Sequence, residues 1–475
     1  MGKPLTDRRS FLKLGLASCG GALAAQERPS PVPSRPSRRQ PNIILIYGDD
    51  LGSGDPGCCG SGLPTPNIDA LAAEGIRFHS FSSASAVCSP ARAALLTGRY
   101  PTRVGVPDVL QPSDTAGLSL SESTIANVLK AAGYATMCVG KWHLGCLPQY
   151  LPNSRGFDQF YGLPYSNDMA PLPLYQNTTI IEQPANLSTL TQRYTEQAVS
   201  FITQSKNAPF FLYMPHTFPH IPLAASSQFV GTTQFGLYGD TISEIDWSVG
   251  QVLQAVKDNG LDEDTLVVFS SDHGPWFQGS TAGLHGRKGE TWEGGHRVPF
   301  IARFPGRIAP GQASTSPANS MDILPTVARL CGAPLPNVPL DGVDIWPLMA
   351  GRGAEWAKTS QNVFLYFDSW NLQCARTGFW KLHVARYNAP PWVQLPANWR
   401  VNLPLAYPEL YNLETDPSET CDVSAEHPDI VASIQASISS MLPTFPSTVQ
   451  SVWRSTMGVT PCYCTPGGWP SAPGQ

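Results

Sequence analysis

Charge is sparse in this chain of 475 residues: Asp, Glu, Lys and Arg together make 14%, and 36 acidic residues against 31 basic ones leave a net charge of −5. A general nucleic-acid binder needs the opposite balance, so that class is excluded. No apolar run approaches the ~18 residues a spanning helix requires, and an integral membrane protein is not expected. Eleven cysteines in so long a chain are too few for a fold held together by disulfides. Apolar residues, by contrast, make up 42%, and 42 Gly and 46 Pro are scattered along the whole sequence. A loop-rich globular protein is expected, with one large domain and a smaller one.

The N-terminus carries Asp7-Arg8-Arg9-Ser10-Phe11-Leu12-Lys13 followed by a short apolar stretch of small residues from Leu14 to Ala25. This resembles a bacterial twin-arginine export signal. Residues 1–25 are read as that signal, with Ala22-Leu23-Ala24 as its cleavage site, and residues 26–40 as a disordered linker rich in Pro, Ser and Arg. Export to the periplasm or the medium follows. Leu16-Ala17-Ser18-Cys19 also resembles a lipoprotein box, but the apolar run before Cys19 is very short, so simple cleavage is preferred over a lipid anchor. Cys58 and Cys59 are adjacent, and Cys462 and Cys464 sit in a tail rich in Gly and Pro; neither spacing is that of a C-x-x-C zinc or redox pair. Disulfide connectivity stays open. Sequons at Asn177 and Asn186 carry little weight in a bacterial host.

Asn42 to Tyr47 is a β-branched apolar run that reads as a strand buried on both faces, ending at Gly48-Asp49-Asp50. Helical patterns follow at Asn67 to Glu74 and at Ser121 to Ala132, the second with Ser121 as N-cap and Gly133 as stop. Strand-like runs at Tyr134 to Val139, Phe210 to Met214, Leu266 to Ser270 and Pro299 to Phe304 alternate with helical ones such as Tyr238 to Lys257. That alternation predicts an α/β fold with a mostly parallel central sheet flanked by helices. Two strands end in acidic or metal-capable pairs, Asp49-Asp50 and Asp272-His273. Ligands gather at the carboxyl rim of such a sheet, and carboxylates brought together there call for a cation. Beyond Gly351 the texture changes: strand-like runs at Val363 to Phe367 and Trp380 to Val384, many prolines, and a late helix near Pro428 to Met441. The division expected is a catalytic domain over 41–352, a smaller α+β domain with antiparallel sheet over 353–450, and a tail over 451–475.

The most informative stretch is Cys88-Ser89-Pro90-Ala91-Arg92-Ala93-Ala94-Leu95-Leu96-Thr97-Gly98-Arg99. Pro90 suits an early helix position, which puts Cys88 at the positive end of a helix dipole, where an anion is favoured. The segment resembles the signature of the type I sulfatases, whose leading Cys is oxidised to formylglycine. Gly140-Lys141-Trp142-His143-Leu144-Gly145 is similar to the second signature of that family. Further segments around Ser166, His220, Asp272-His273 and Lys288 follow in the family's order, and the likeness, strongest to the arylsulfatases, runs from about Pro41 to about Asp422.

The resemblance implies an alkaline-phosphatase-like fold and a sulfuric ester hydrolase acting on aryl or carbohydrate sulfate monoesters. Asp49, Asp50, Asp272 and His273 would bind one divalent cation, calcium being expected and magnesium the alternative. His273 stands where arylsulfatases carry Asn, although other sulfatases carry His there, which leaves the metal in some question. Cys88, as hydrated formylglycine, would be the nucleophile. Arg92 and Lys141 would stabilise it and the charge developing on sulfate, and Lys288 would hold sulfate near the leaving oxygen. His143 would be the base for elimination, and His220 or Lys288 would protonate the departing alcohol. Ser166 and His383 match positions that face the substrate, whereas His216 reads as structural. Trp276 and Trp292 could stack on a ring, with core packing at least as good an account of Trp292. A formylglycine-generating maturation enzyme is the implied partner, and oligomeric state is left open. Two rival readings stand: a phosphomonoester or phosphonate hydrolase of the same superfamily, and a non-catalytic binder of sulfated glycans if Cys88 is not converted.

Overall fold

The computed structural model describes residues 40–353, 363–396 and 399–459. The export signal, nearly all of the linker, Cys19, Cys462 and Cys464 lie outside the described residues. Along the chain the strands are β1 (Asn42–Gly48), β2 (Ile76–Phe78), β3 (Phe81–Ser82), β4 (Ala135–Lys141), β5 (Gln159–Leu163), β6 (Leu174–Gln176) and β7 (Thr179–Glu182). There follow β8 (Phe210–Pro215), β9 (Thr265–Ser271), β10 (Phe300–Arg303), β11 (Gln312–Ser314) and β12 (Ala318–Asn319). The main sheet has the order β11-β2-β10-β9-β1-β8-β4-β5-β6-β7. Its centre, β9-β1-β8-β4-β5, is parallel throughout, while β10 and β6 join it antiparallel.

Why these runs become central strands is visible in how they divide between two cores. Ile43, Leu45 and Tyr47 of β1 enter one hydrophobic cluster, and Ile44 and Ile46 enter the other. Leu266 and Val268 of β9 likewise separate from Val267 and Phe269. A strand covered on both faces needs apolar residues at every position, which is the pattern of a parallel sheet between helical layers. One layer holds the helices Cys88–Thr97, Ile125–Ala131 and Ile323–Cys331, and the other Pro66–Ala73, Leu190–Gln204 and Gly236–Asp258.

The helix expected from Ser121 begins later. Thr124 is its N-cap, with Thr124 Oγ1 accepting from the Asn127 amide at 3.2 Å and Asn127 Oδ1 accepting from the Thr124 amide at 3.0 Å. This reciprocal box satisfies two amides that Ser121, whose hydroxyl meets Ser119 at 2.9 Å, leaves alone. Gly133, at φ 88°, ends the helix as expected.

Towards the C-terminus β13 (Val363–Asp368), β14 (Asn371–Thr377), β15 (Trp380–Tyr387) and β16 (Asn402–Asn412) form an antiparallel sheet in that order. The helices Pro428–Met441 and Ser447–Met457 cover it. Its core extends into the larger part of the molecule through Ala84, Ala94, Tyr100 and Met321. Among the described residues no helix is long and apolar enough to cross a membrane.

Candidate active site

Strands β1 and β9 pair in parallel with Gly48 opposite Ser271, so the next residues on each, Asp49 and Asp272, leave the sheet side by side. Lys141 is the last residue of β4 and pairs with Leu163, three residues before Ser166. His220 follows the end of β8 at Pro215 by five residues. Five neighbouring parallel strands thus deliver their following residues to one rim, where α/β sheets bind ligands. The backbone helps at two points: Asp50 and His143 adopt φ 65° and φ 59°. Such left-handed conformations cost energy in non-glycine residues and recur at functional sites.

Against this rim sits the first turn of the helix Cys88–Thr97, with Cys88 at its first position and Pro90 two residues on. Arg92 lies one turn along, on the same face, and is fully buried. Its guanidinium donates to Asp272 Oδ2 at 2.9 Å and to the Lys141 carbonyl at 2.8 Å, and stands 3.5 Å from Asp49 Oδ2. Lys141 Nζ donates to Asp49 Oδ2 at 2.5 Å and to Ser166 Oγ at 3.0 Å. Lys288 Nζ spans both oxygens of Asp50 at 2.7 and 2.9 Å. His273 Nε2 is 3.5 Å from Cys88 Sγ and 3.4 Å from Asp50 Oδ1, and its Nδ1 donates to the Gly274 carbonyl at 2.9 Å. His220 Nε2 lies 3.9 Å from Asp50 Oδ2.

The electrostatics follow from burial set against charge. Desolvation opposes ionisation of Asp49, but Lys141 and Arg92 outweigh it and hold its carboxyl well below the usual range. Desolvation also opposes a Cys88 thiolate, and there Lys141 and Lys288 prevail, lowering the thiol. For Asp272 burial wins and the carboxyl rises to about 6. Burial alone would neutralise His273, yet the facing Asp272 and Cys88 push it up to about 9. Burial lowers His143. Its Nε2 donates to the Leu110 carbonyl at 3.0 Å, so Nδ1 is left as a buried, unprotonated acceptor towards the Cys88 thiol.

Ligand atoms of Asp49, Asp50, Cys88 and His220, and of Asp49, Cys88, Asp272 and His273, converge within 4.8 Å in two overlapping groups. Asp49 belongs to both groups, and its Oδ1 is buried with no hydrogen-bond partner. An orphaned carboxylate oxygen beside further oxygen donors is the arrangement a hard divalent cation would satisfy, so the residues fit one.

Eleven of the twelve site residues expected from the sequence meet here, and His383 is the one that does not. It is buried on β15, its Nε2 at 2.7 Å from Glu419 Oε1, its ring packed on Trp292 at 4.4 Å between centroids. Cross-strand neighbours and Trp292 claim that imidazole. Trp292 itself is half-buried, stacked on His285, touching Tyr411 and covered by Arg386, so protein side chains hold its ring. Trp276 instead joins Phe277 and Trp392 in a partly exposed aromatic group. His216 is fully buried with neither ring nitrogen bonded, and burial lowers it to about 4, as suits a structural residue. The Leu110 carbonyl and Asn167 went unforeseen. Asn167 Nδ2 donates to the Pro222 carbonyl at 3.1 Å and the His220 carbonyl at 3.4 Å, fixing the segment that carries His220. Adjacency to Ser166 was the available signal for Asn167; a backbone carbonyl such as that of Leu110 leaves none.

A parallel sheet with an acidic and basic rim facing a helix N-terminus defines a hydrolase of the alkaline-phosphatase-like fold. The family model for sulfatases matches residues 41–333, and the chain belongs to that family. It is 40% identical to human arylsulfatase A over 80% of this chain and 83% of that one. It superposes on the crystal structure of Ps i-CgsB in complex with k-i-k-neocarrahexaose with TM-score 0.72 and 29% identity, covering 88% of this chain and 98% of that one. A phosphonate monoester hydrolase from Agrobacterium radiobacter, 19% identical with TM-score 0.56 over 86% of this chain and 95% of that one, shares the fold alone. The protein is a sulfatase of arylsulfatase type.

Proposed function

We propose that the enzyme releases inorganic sulfate from aryl or carbohydrate sulfate monoesters through formylglycine at position 88 and one divalent cation, calcium in the first instance. The observation that carries this reading is the position of Cys88: first residue of a buried helix, 3.5 Å from His273, and under the charge of Lys141 and Lys288. As hydrated formylglycine, this residue supplies two geminal hydroxyls, one to attack sulfur and one whose deprotonation expels sulfate and restores the aldehyde. Asp49, Asp50, Asp272 and His273 would hold the cation, whose charge offsets that of the sulfate oxygens. Arg92 and Lys141 orient the nucleophile and stabilise negative charge, while Ser166, fixed by Lys141, offers its hydroxyl to the sulfate. His143, whose unprotonated Nδ1 stands beside residue 88, takes the proton in the elimination step. Lys288 and His220, both on Asp50, stand where the departing alcohol takes up a proton.

Residues 41–352 make the catalytic domain in this reading, and 353–450 a smaller one. The N-terminal twin-arginine pattern supports export, so Cys88 is converted by a maturation enzyme before the folded protein leaves the cytoplasm. A carbohydrate sulfate is the favoured substrate, in keeping with the k-i-k-neocarrahexaose bound to Ps i-CgsB. The test is mass spectrometry of the Cys88 peptide from the native host beside rates on nitrophenyl sulfate and nitrophenyl phosphate. Formylglycine with faster sulfate hydrolysis is expected; an unmodified thiol, or preference for the phosphate, overturns the reading.

A further inference from the structure

Away from the Cys88 rim lies a groove of about 520 Å³ whose lining includes Cys58, Cys59, Arg77, His79, Arg297 and Pro417. The two cysteines form most of a single 3-10 turn, Gly57–Cys59, and both are half-buried free thiols. They touch: the Cys58 thiol donates a hydrogen bond to the Cys59 sulfur. Arg77 also donates to the Cys59 sulfur. Its other side-chain contact is His79 at 3.5 Å, and no ion pair among the described residues joins it to a carboxylate. A half-buried guanidinium usually has a carboxylate partner. Here it faces a sulfur.

These contacts make the two thiols unequal. The hydrogen bond from Cys58 and the charge of Arg77 outweigh burial and lower Cys59, whereas donating that bond, together with burial, raises Cys58. One thiol is therefore an activated nucleophile, and its neighbour keeps its proton until needed. The Gly57 and Cys58 amides are held by Thr65 Oγ1 and Asp69 Oδ1, both at 2.7 Å, so the freedom in the turn lies on its C-terminal side. Gly57 and Gly60 bracket the pair, Gly60 at φ 96° with open space where a side chain would stand.

We propose that Cys58 and Cys59 are a redox-active vicinal dithiol that low-molecular-weight disulfides convert to an internal Cys58–Cys59 disulfide, with Cys59 as the attacking and Cys58 as the resolving sulfur. In the first step the Cys59 thiolate attacks one sulfur of a disulfide RSSR, forming a mixed disulfide and expelling one thiolate, which leaves as RSH. In the second, Cys58 gives up its proton and attacks the Cys59 sulfur, closing the ring and releasing the second RSH. Two thiols of the protein are oxidised and one external disulfide is reduced to two thiols, so electrons and protons balance. The site is independent of the conversion of Cys88.

Trypsin releases both cysteines on one peptide, Gln40 to Arg77, which holds no other cysteine. The folded protein is incubated with oxidised glutathione, quenched by alkylation, digested and weighed. The result expected is a peptide two hydrogens lighter than the dithiol form, unalkylated until a reductant is added. Cys58→Ser should accumulate the glutathione adduct on Cys59, Cys59→Ser should accumulate none, and Arg77→Gln, whose peptide runs on to Arg92 and takes in position 88, should slow the first step by about an order of magnitude. A wild-type peptide alkylated at both cysteines after oxidant overturns the proposal. So does a stable mixed disulfide in the wild type, or equal adduct formation in the two serine variants.

Discussion

Two clusters of buried charge lie in this molecule, and they differ in how completely their members satisfy one another. On the second, Glu293 Oε1 accepts from Lys381 at 3.1 Å and Tyr366 at 3.0 Å, and its Oε2 from Arg297 at 2.7 Å. Glu419 Oε1 accepts from Lys381 at 3.0 Å and His383 at 2.7 Å, and its Oε2 from the Glu293 amide at 2.6 Å. Every carboxylate oxygen there is taken, and the atom left unpartnered is Nε2 of His296, which burial keeps neutral. Around Cys88 the same residue types leave a carboxylate oxygen, Asp49 Oδ1, buried and unpartnered. Buried charge that closes on itself ties β15 to Glu293 and to Glu419 beyond β16, and buried charge left open is held ready for a ligand.

The sharpest way to break that contrast is Cys88→Ala, which should abolish sulfate release while leaving the melting temperature unchanged; residual full activity in a sulfate-release assay would contradict the open cluster's role. Chelation should come next. Removing the cation is expected to suppress turnover reversibly, and readdition at about 100 times its Kd should raise stability by ~2.7 kcal/mol in a denaturant titration. In the closed cluster Lys381→Met strips one cation from both Glu293 and Glu419, and should cost about 3–5 kcal/mol of stability with kcat per folded molecule preserved.

The smallest effect concerns pH. Burial opposes protonation of His383, but the Cys374 sulfur and Glu419 outweigh it and raise the imidazole above its ordinary value. Its other neighbours are Trp292 and Tyr411, with Lys381 on the shared Glu419. A histidine raised in the folded state contributes stability that is complete below about pH 6.5 and fades as pH climbs through the folded value. His383→Gln should therefore flatten the loss of stability on the alkaline side, measured by thermal melts across pH. An unchanged slope would mean that His383 is neutral in the fold.

Much of the site was legible because its chemistry sits on local motifs. Cys88, Pro90 and Arg92 occupy one helical turn, and Asp49-Asp50 and Asp272-His273 each end an apolar strand. His383 misled because a histidine on an alternating strand carries no sign of which partner its other face will meet. The cap at Thr124 was missed because Ser121 fits the same composition, and the choice turned on which side chain Asn127 could answer.

From the sequence alone came the α/β alternation, the strands buried on both faces and the acidic pairs at two strand ends, since these depend on patterns within a few residues of one another; the roles expected of the site residues came through the family resemblance of short motifs. Tertiary structure decided which of those residues meet. Asp49 and Asp272 are 223 positions apart and neighbours only because β1 and β9 pair in one register. The unpaired Asp49 oxygen, the tautomer of His143 and the sulfur facing Arg77 arise in the same way. Each depends on long-range packing that fixes distance and direction, which spacing along a chain does not encode.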